Sequence, residues 1–166
     1  MEENNEQLRS GRSLEKVYVK FLNLTDRVVE IVWINYSGLY ERYTLLRGRQ
    51  HIDINTYKFH PWIALDVYTK DRMHLDSNYI YQPIPWKEYC ENNGKLYPII
   101  PPERRILVRI TLPVYSLRYW TLLRIRDLLK NPEDVDKLEL PQLLISDLKK
   151  VIALKNQVNI VVSSRP

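Results

Sequence analysis

The sequence predicts an α+β protein: a β-sandwich of about seven strands followed by a small α domain of three helices. Two observations carry this reading. The hydrophobic period is two residues up to about Leu112-Pro113 and becomes helical after it. The composition sets four glycines against twelve tyrosines and four tryptophans, an aromatic load that suits pleated surfaces better than flexible loops. At 166 residues and 45% hydrophobic, the chain can bury a real core in one medium domain or two small ones.

The strands follow in order. Val17, Val19 and Phe21 alternate with Tyr18 and Lys20, and Asn23 to Asp26 breaks the run. Val29, Ile31 and Trp33 point one way while Val28, Val32 and Ile34 point the other. Ile52 and Ile54 alternate, Trp62 to Tyr68 is a further apolar stretch, and Ile106, Val108 and Ile110 close the series. Pro98, Pro101 and Pro102 sit ahead of that last strand, where no ladder donor is needed. Cys90 lies in WKEYCENNGK, a polar stretch that reads as a loop.

After Pro113, Leu117, Thr121, Ile125 and Leu128 recur at helical spacing, with Leu122 and Leu129 widening the stripe. Ser116 is the expected N-cap and Asn131-Pro132 the stop. Pro132 opens a short second helix with Glu133 and Asp134 at its positive end. Pro141 opens a third, with Leu144, Leu148, Val151 and Ile152 on one face. Three such helices hide less apolar surface than these stripes carry, so part of it is expected to await a partner. The expected division is a flexible tail at 1–14, the sandwich at 15–113, the helical domain at 114–155, and a segment of unknown role at 156–166.

Several classes fall away. The polar N-terminus has no signal-peptide core, and no apolar run approaches the ~20 residues of a membrane span. One cysteine allows no intrachain disulfide and fits a reduced, intracellular compartment. His51, His60 and His74 lack metal-ligand spacing, so neither metal nor cofactor is expected. With no nucleophile elbow, P-loop or dinucleotide fingerprint, the expectation is a non-enzyme.

Trp33, Tyr43, Tyr57, His60 and Trp62 crowd into one short region. If His60 and Trp62 share a strand, they share a face, with Thr56 and Tyr57 just before them. An aromatic box with a hydroxyl and an imidazole at its base fits a proline ring. Thr56 and His60 would supply the donor and acceptor that a ring hydroxyl needs. Taken singly, buried tryptophans and a hydrogen-bonded histidine are more often core.

The string from Val28 to Trp62, with VWIN, the tyrosine eight residues past Asn35, and TYKFHPW, resembles the β domain of the von Hippel–Lindau family. Similarity extends upstream through FLNLTDRVV and weakly through Thr69 to Leu75, and ITLPVYSLRYW resembles the family's approach to its α domain. The resemblance implies a substrate receptor of an elongin–cullin ubiquitin ligase, cytoplasmic and nuclear, that binds a 4-hydroxyproline peptide of hypoxia-inducible factor α. Trp33, Tyr43 and Trp62 would wall the pocket, and Thr56, in place of a family serine, would bind the hydroxyl with His60. Tyr57 would support the peptide backbone, while Asn55 and Leu14 replace a family histidine and arginine.

For the α domain, the resemblance implies an elongin C contact, with elongin B, through Leu117, Arg118, Thr121, Leu122 and Ile125. Thr121 stands for a cysteine there, and its hydroxyl is expected to bond a carbonyl one turn back. Leu140, Pro141, Leu144 and Leu148 match the cullin-box pattern, implying a cullin with its RING protein. The competing class is an RNA-binding module in which tyrosines interleave with Arg42, Arg47, Arg49 and Lys58.

Overall fold

The computed structural model describes residues 8–96, 104–156 and, as backbone, 160–161. Pro98, Pro101 and Pro102 lie outside the described residues. Two four-stranded sheets face each other. One runs in the order β4 (His51–Tyr57), β1 (Lys16–Asn23), β7 (Ile106–Thr111), β6 (His74–Leu75). The other runs β5 (Trp62–Asp66), β2 (Val29–Ile34), β3 (Tyr40–Leu46), β8 (Ile160–Val161). The pairings are antiparallel except β1 with β7 and β3 with β8. Within the C-terminal segment of unknown role, the backbone of Ile160–Val161 forms a short strand.

Alternation places the core as expected. Val17, Val19 and Phe21 of β1 meet Val108 and Ile110 of β7 and Val29 and Ile31 of β2 in the space between the sheets. Strand β2 is buried on both faces. Its Val32 and Ile34 join Ile63 and Leu65 of β5 in a second cluster on the far side, covered by Leu8, Tyr40 and Ile80.

The segment around Cys90 is a helix, α1 (Trp86–Asn92), where a loop was expected. Trp86, Tyr89 and Cys90 recur at i, i+3 and i+4. Both rings pack on the core, and Cys90 is buried. Apolar contact along that one face outweighs the polar composition of the remainder.

After β7 come α2 (Leu117–Leu128), a 3-10 helix (Pro132–Lys137) and α3 (Gln142–Asn156). Ser116 caps α2 by accepting the Tyr119 backbone N–H at 3.2 Å. The helical core holds Leu122, Leu123, Val135, Ile145, Leu148 and Val151. The buried stripe of α2 is thus Leu122, Leu123 and Arg126, rotated from the Leu117–Thr121–Ile125–Leu128 stripe read in the sequence. Leu117 is 84% exposed and Leu128 76%.

Candidate ligand-binding site

Strand pairing builds the aromatic walls. Trp33 of β2 lies directly opposite Trp62 of β5. Ile31 pairs with Thr44 but Val32 with Arg42, so Tyr43 is the extra residue of a β-bulge in β3. A bulge re-aims a side chain, and the Tyr43 ring stands edge-on to Trp62 with centroids 5.3 Å apart.

Strand β4 brings in Thr56, which is buried. Trp62 Nε1–H donates to its hydroxyl at 3.1 Å, which leaves the Thr56 hydroxyl proton to be donated onward. Asn55 points to the other side of β4, where its carbonyl accepts from Arg105 at 2.9 Å. It does not line the box.

His60 is not on a strand with Trp62, because β5 starts at Trp62. It follows Phe59, a left-handed residue at φ 64° that turns the chain so that the imidazole folds back over the walls. The ring stacks on Trp33 at 5.4 Å, tilts against Tyr57 at 5.3 Å and meets the edge of Tyr36 at 5.3 Å. Burial pushes the His60 pKa below its ordinary value, and a hydrogen bond to the Gly11 carbonyl opposes that shift only in part.

The chain from Ser10 to Ser13, within the segment expected to be a tail, is a strap on this site; residues 1–7 lie outside the described residues. Trp33 Nε1–H donates to Ser10 Oγ at 2.7 Å, and that hydroxyl donates to the Ile34 carbonyl at 2.6 Å. Gly11 N–H donates to the Phe59 carbonyl at 2.9 Å. A Cβ on Gly11 would stand 3.0 Å from that of Phe59, so the close approach calls for glycine. Ser13 Oγ lies 2.6 Å from the Tyr36 hydroxyl and 3.3 Å from His60 Nε2. Ser10, Ser13 and Tyr36 are the site residues that sequence reasoning missed. Short polar residues without periodicity carry no signal distinguishing a strap from a tail.

The structure therefore brings together Trp33, Tyr43, Thr56, Tyr57, His60 and Trp62. Thr56 and His60 are not bonded to one another: the hydroxyl is set by Trp62 and the imidazole by the strap.

The residues singled out on the helices divide. Leu117 and Thr121 are exposed, and the Thr121 hydroxyl donates to the Leu117 carbonyl at 2.9 Å, as expected. Arg118 pairs with Asp147 at 2.7 Å, and Ile125 is half-buried. Leu122 is buried in the helical core, at the floor of a groove between α2 and α3. Of the cullin-box residues, Pro141 is exposed, Leu140 and Leu144 are half-buried, and Leu148 is fully buried. Leu122 and Leu148 thus hold the helices to each other.

Of the cations in the RNA reading, Arg42 pairs with the buried Glu30, Arg49 with Asp26 at 3.1 Å and Lys58 with Glu88 at 2.7 Å. Three of the four already have a carboxylate, so little charge is left for phosphates.

Residues 8–88 match the family model of the VHL beta domain. The chain is also 36% identical over 69 residues to Protein Vhl of Drosophila melanogaster, a match covering 42% of this chain and 39% of that protein. The fold and site describe a β-sandwich module that carries an aromatic box with a hydroxyl and an imidazole. Residues 8–88, which hold the box, are thus similar to the VHL family. The chain's match spans about two fifths of the relative's length, and the family match ends before β7 and helices α2 and α3.

Proposed function

We propose that the chain is the non-catalytic substrate receptor of an elongin–cullin ubiquitin ligase, working in cytoplasm and nucleus, and that its box binds 4-hydroxyproline in hypoxia-inducible factor α. The observation that carries this reading is the box itself. A buried threonine hydroxyl and a buried imidazole stand among three aromatic walls, beside the outer strand of a sheet. Strand β4 is at a sheet edge, so an extended peptide can pair along it while a proline ring enters between Trp33, Tyr43 and Trp62. The ring hydroxyl accepts the Thr56 proton and takes over the long 3.3 Å contact between Ser13 and His60.

Selection works by desolvation. An unmodified proline would leave the Thr56 hydroxyl proton without an acceptor and His60 Nε2 with only its long contact to Ser13, costing about 2 kcal/mol or more, enough for a hundredfold preference at the upper end.

Elongin C, with elongin B, would sit on the outer stripe of α2, where Leu117 and Leu128 are exposed beside Thr121. A cullin with its RING protein would approach near Pro141. Leu144 is partly accessible there, while Leu148 supports the surface from behind.

Calorimetry on the chain purified with elongins B and C tests the reading. Two extended peptides differing only in 4-hydroxylation of one proline are compared, and the pair is repeated with His60→Ala. The expected result is strong binding of the hydroxylated peptide alone, lost in the variant. Equal affinity for both peptides, or binding of neither, would remove the proposed function.

A further inference from the structure

Phe59 has a backbone that its own side chain does not favour. Five described non-glycine residues have positive φ, and four of them, Arg49, Lys70, Asp76 and Ser77, are polar residues in turns. Asp76 and Ser77 form the two-residue turn between Leu75 and Asn78, a place where such angles are usual. Phe59 is the one aromatic residue among the five, and a bulky side chain at φ 64° costs stability that glycine or asparagine there would not.

The fold does not recover that cost by burial, since Phe59 is 62% exposed. Its ring has Lys58 Nζ at 5.5 Å, but that ammonium is already paired with Glu88 at 2.7 Å. Its Cβ and Cγ lie against Gly11, on the strap whose Ser13 reaches His60. Tyr36, also next to His60, is 51% exposed and meets both Trp33 and His60 edge-on. One largely exposed ring, Tyr36, thus meets the imidazole edge-on, and a second, Phe59, stands on the preceding turn against the strap that holds it. Exposed aromatic surface continuous with a binding pocket is where a partner makes apolar contact.

We infer that Phe59 and Tyr36 form a second, apolar subsite beside the box, and that it selects peptides with an apolar or aromatic residue next to the captured proline. The inference rests on the box reading above: the same peptide fills both places. Phe59 is a specificity-determining residue, and its strained backbone is kept for the contact that its ring makes with the ligand.

The experiment compares two hydroxyprolyl peptides, one with leucine or tyrosine and one with aspartate beside the hydroxyproline, on the chain purified with elongins B and C. Wild type, Phe59→Gly and Phe59→Asn are each titrated, with the unhydroxylated peptides as controls. Wild type is expected to prefer the apolar neighbour by about tenfold. Both variants should lose most of that preference, keep their dependence on the hydroxyl, and melt no lower than wild type. Variants that keep the full apolar preference, or a wild type indifferent to the neighbour, would overturn the subsite and leave the box standing. A wild type that binds none of the peptides would overturn both.

Discussion

Burial of His60 under Trp33, Tyr57 and Tyr36 disfavours the imidazolium, and one backbone carbonyl does not offset it, so the folded pKa lies below the ordinary 6.5. Around that ordinary value the unfolded chain therefore binds more protons than the folded one. The contribution of His60 to stability is complete above about pH 6.5 and is lost as pH falls through the lowered folded value. Denaturant titrations from pH 8 to 5 on wild type and His60→Asn should show wild type losing stability more steeply on acidification. The readout is the slope, so an overall loss in the variant does not confuse it; parallel curves would refute the argument. At this scale the sequence was partly legible. Trp33, Thr56, His60 and Trp62 stand out because aromatic, hydroxyl and imidazole groups crowd one segment. The partners that hold them, Ser10 and Ser13, are small residues in a polar run. Their role depends on a chain path that no local pattern encodes.

Among the elements, α2 shows why a helix is easier to find than to orient. Period, cap and stop were all readable. The apolar stripe from Leu117 to Leu128 suggested a packing face, yet the buried face includes Arg126, a residue that an apolar pattern cannot choose. The two faces should separate in energy. Leu148 of α3 is fully buried in the helical core, so Leu148→Ala should cost about 3 kcal/mol, the middle of the range for such truncations. Leu117 is 84% exposed, and Leu117→Ala should stay within about 0.5 kcal/mol while weakening capture of elongin C. Hydrogen exchange on α2 and α3, with a pull-down on elongin C, measures both. Equal losses of protection in the two variants would mean that the faces are misassigned. The same reasoning explains α1, where Trp86, Tyr89 and Cys90 form a one-turn apolar face too short to outweigh a polar average in a sequence window.

For the whole molecule, the sandwich core and the helical core share no residue among those described. They are tied instead by Arg126, whose side chain is 4% exposed and donates to both carboxylate oxygens of Asp71, on the loop after β5, at 2.6 and 3.0 Å. Asp127 pairs with it at 2.8 Å, and the Tyr115 hydroxyl donates to the Arg72 carbonyl at 3.3 Å. None of this was legible in the sequence, where Asp71 and Arg126 are 55 residues apart and read as surface charges. Removing the guanidinium leaves Asp71 facing the helices without its partner. Arg126→Met should therefore cost about 3 kcal/mol, at the low end for a broken buried pair because Asp71 keeps some access to water. The double variant with Asp71→Asn should regain a good part of that loss, since the stranded charge is gone. Tryptophan fluorescence has a probe on each side, in Trp33 and Trp62 of the sandwich and Trp120 of α2. Versions retaining one or the other should unfold together in the parent and at separate denaturant concentrations in Arg126→Met. If the double variant is as unstable as the single, or the two probes stay coincident, the pair does not couple the cores. If they separate, Arg126 is what fixes the ligand box relative to the outer face of α2, the geometry on which presenting a bound peptide to a ligase would depend.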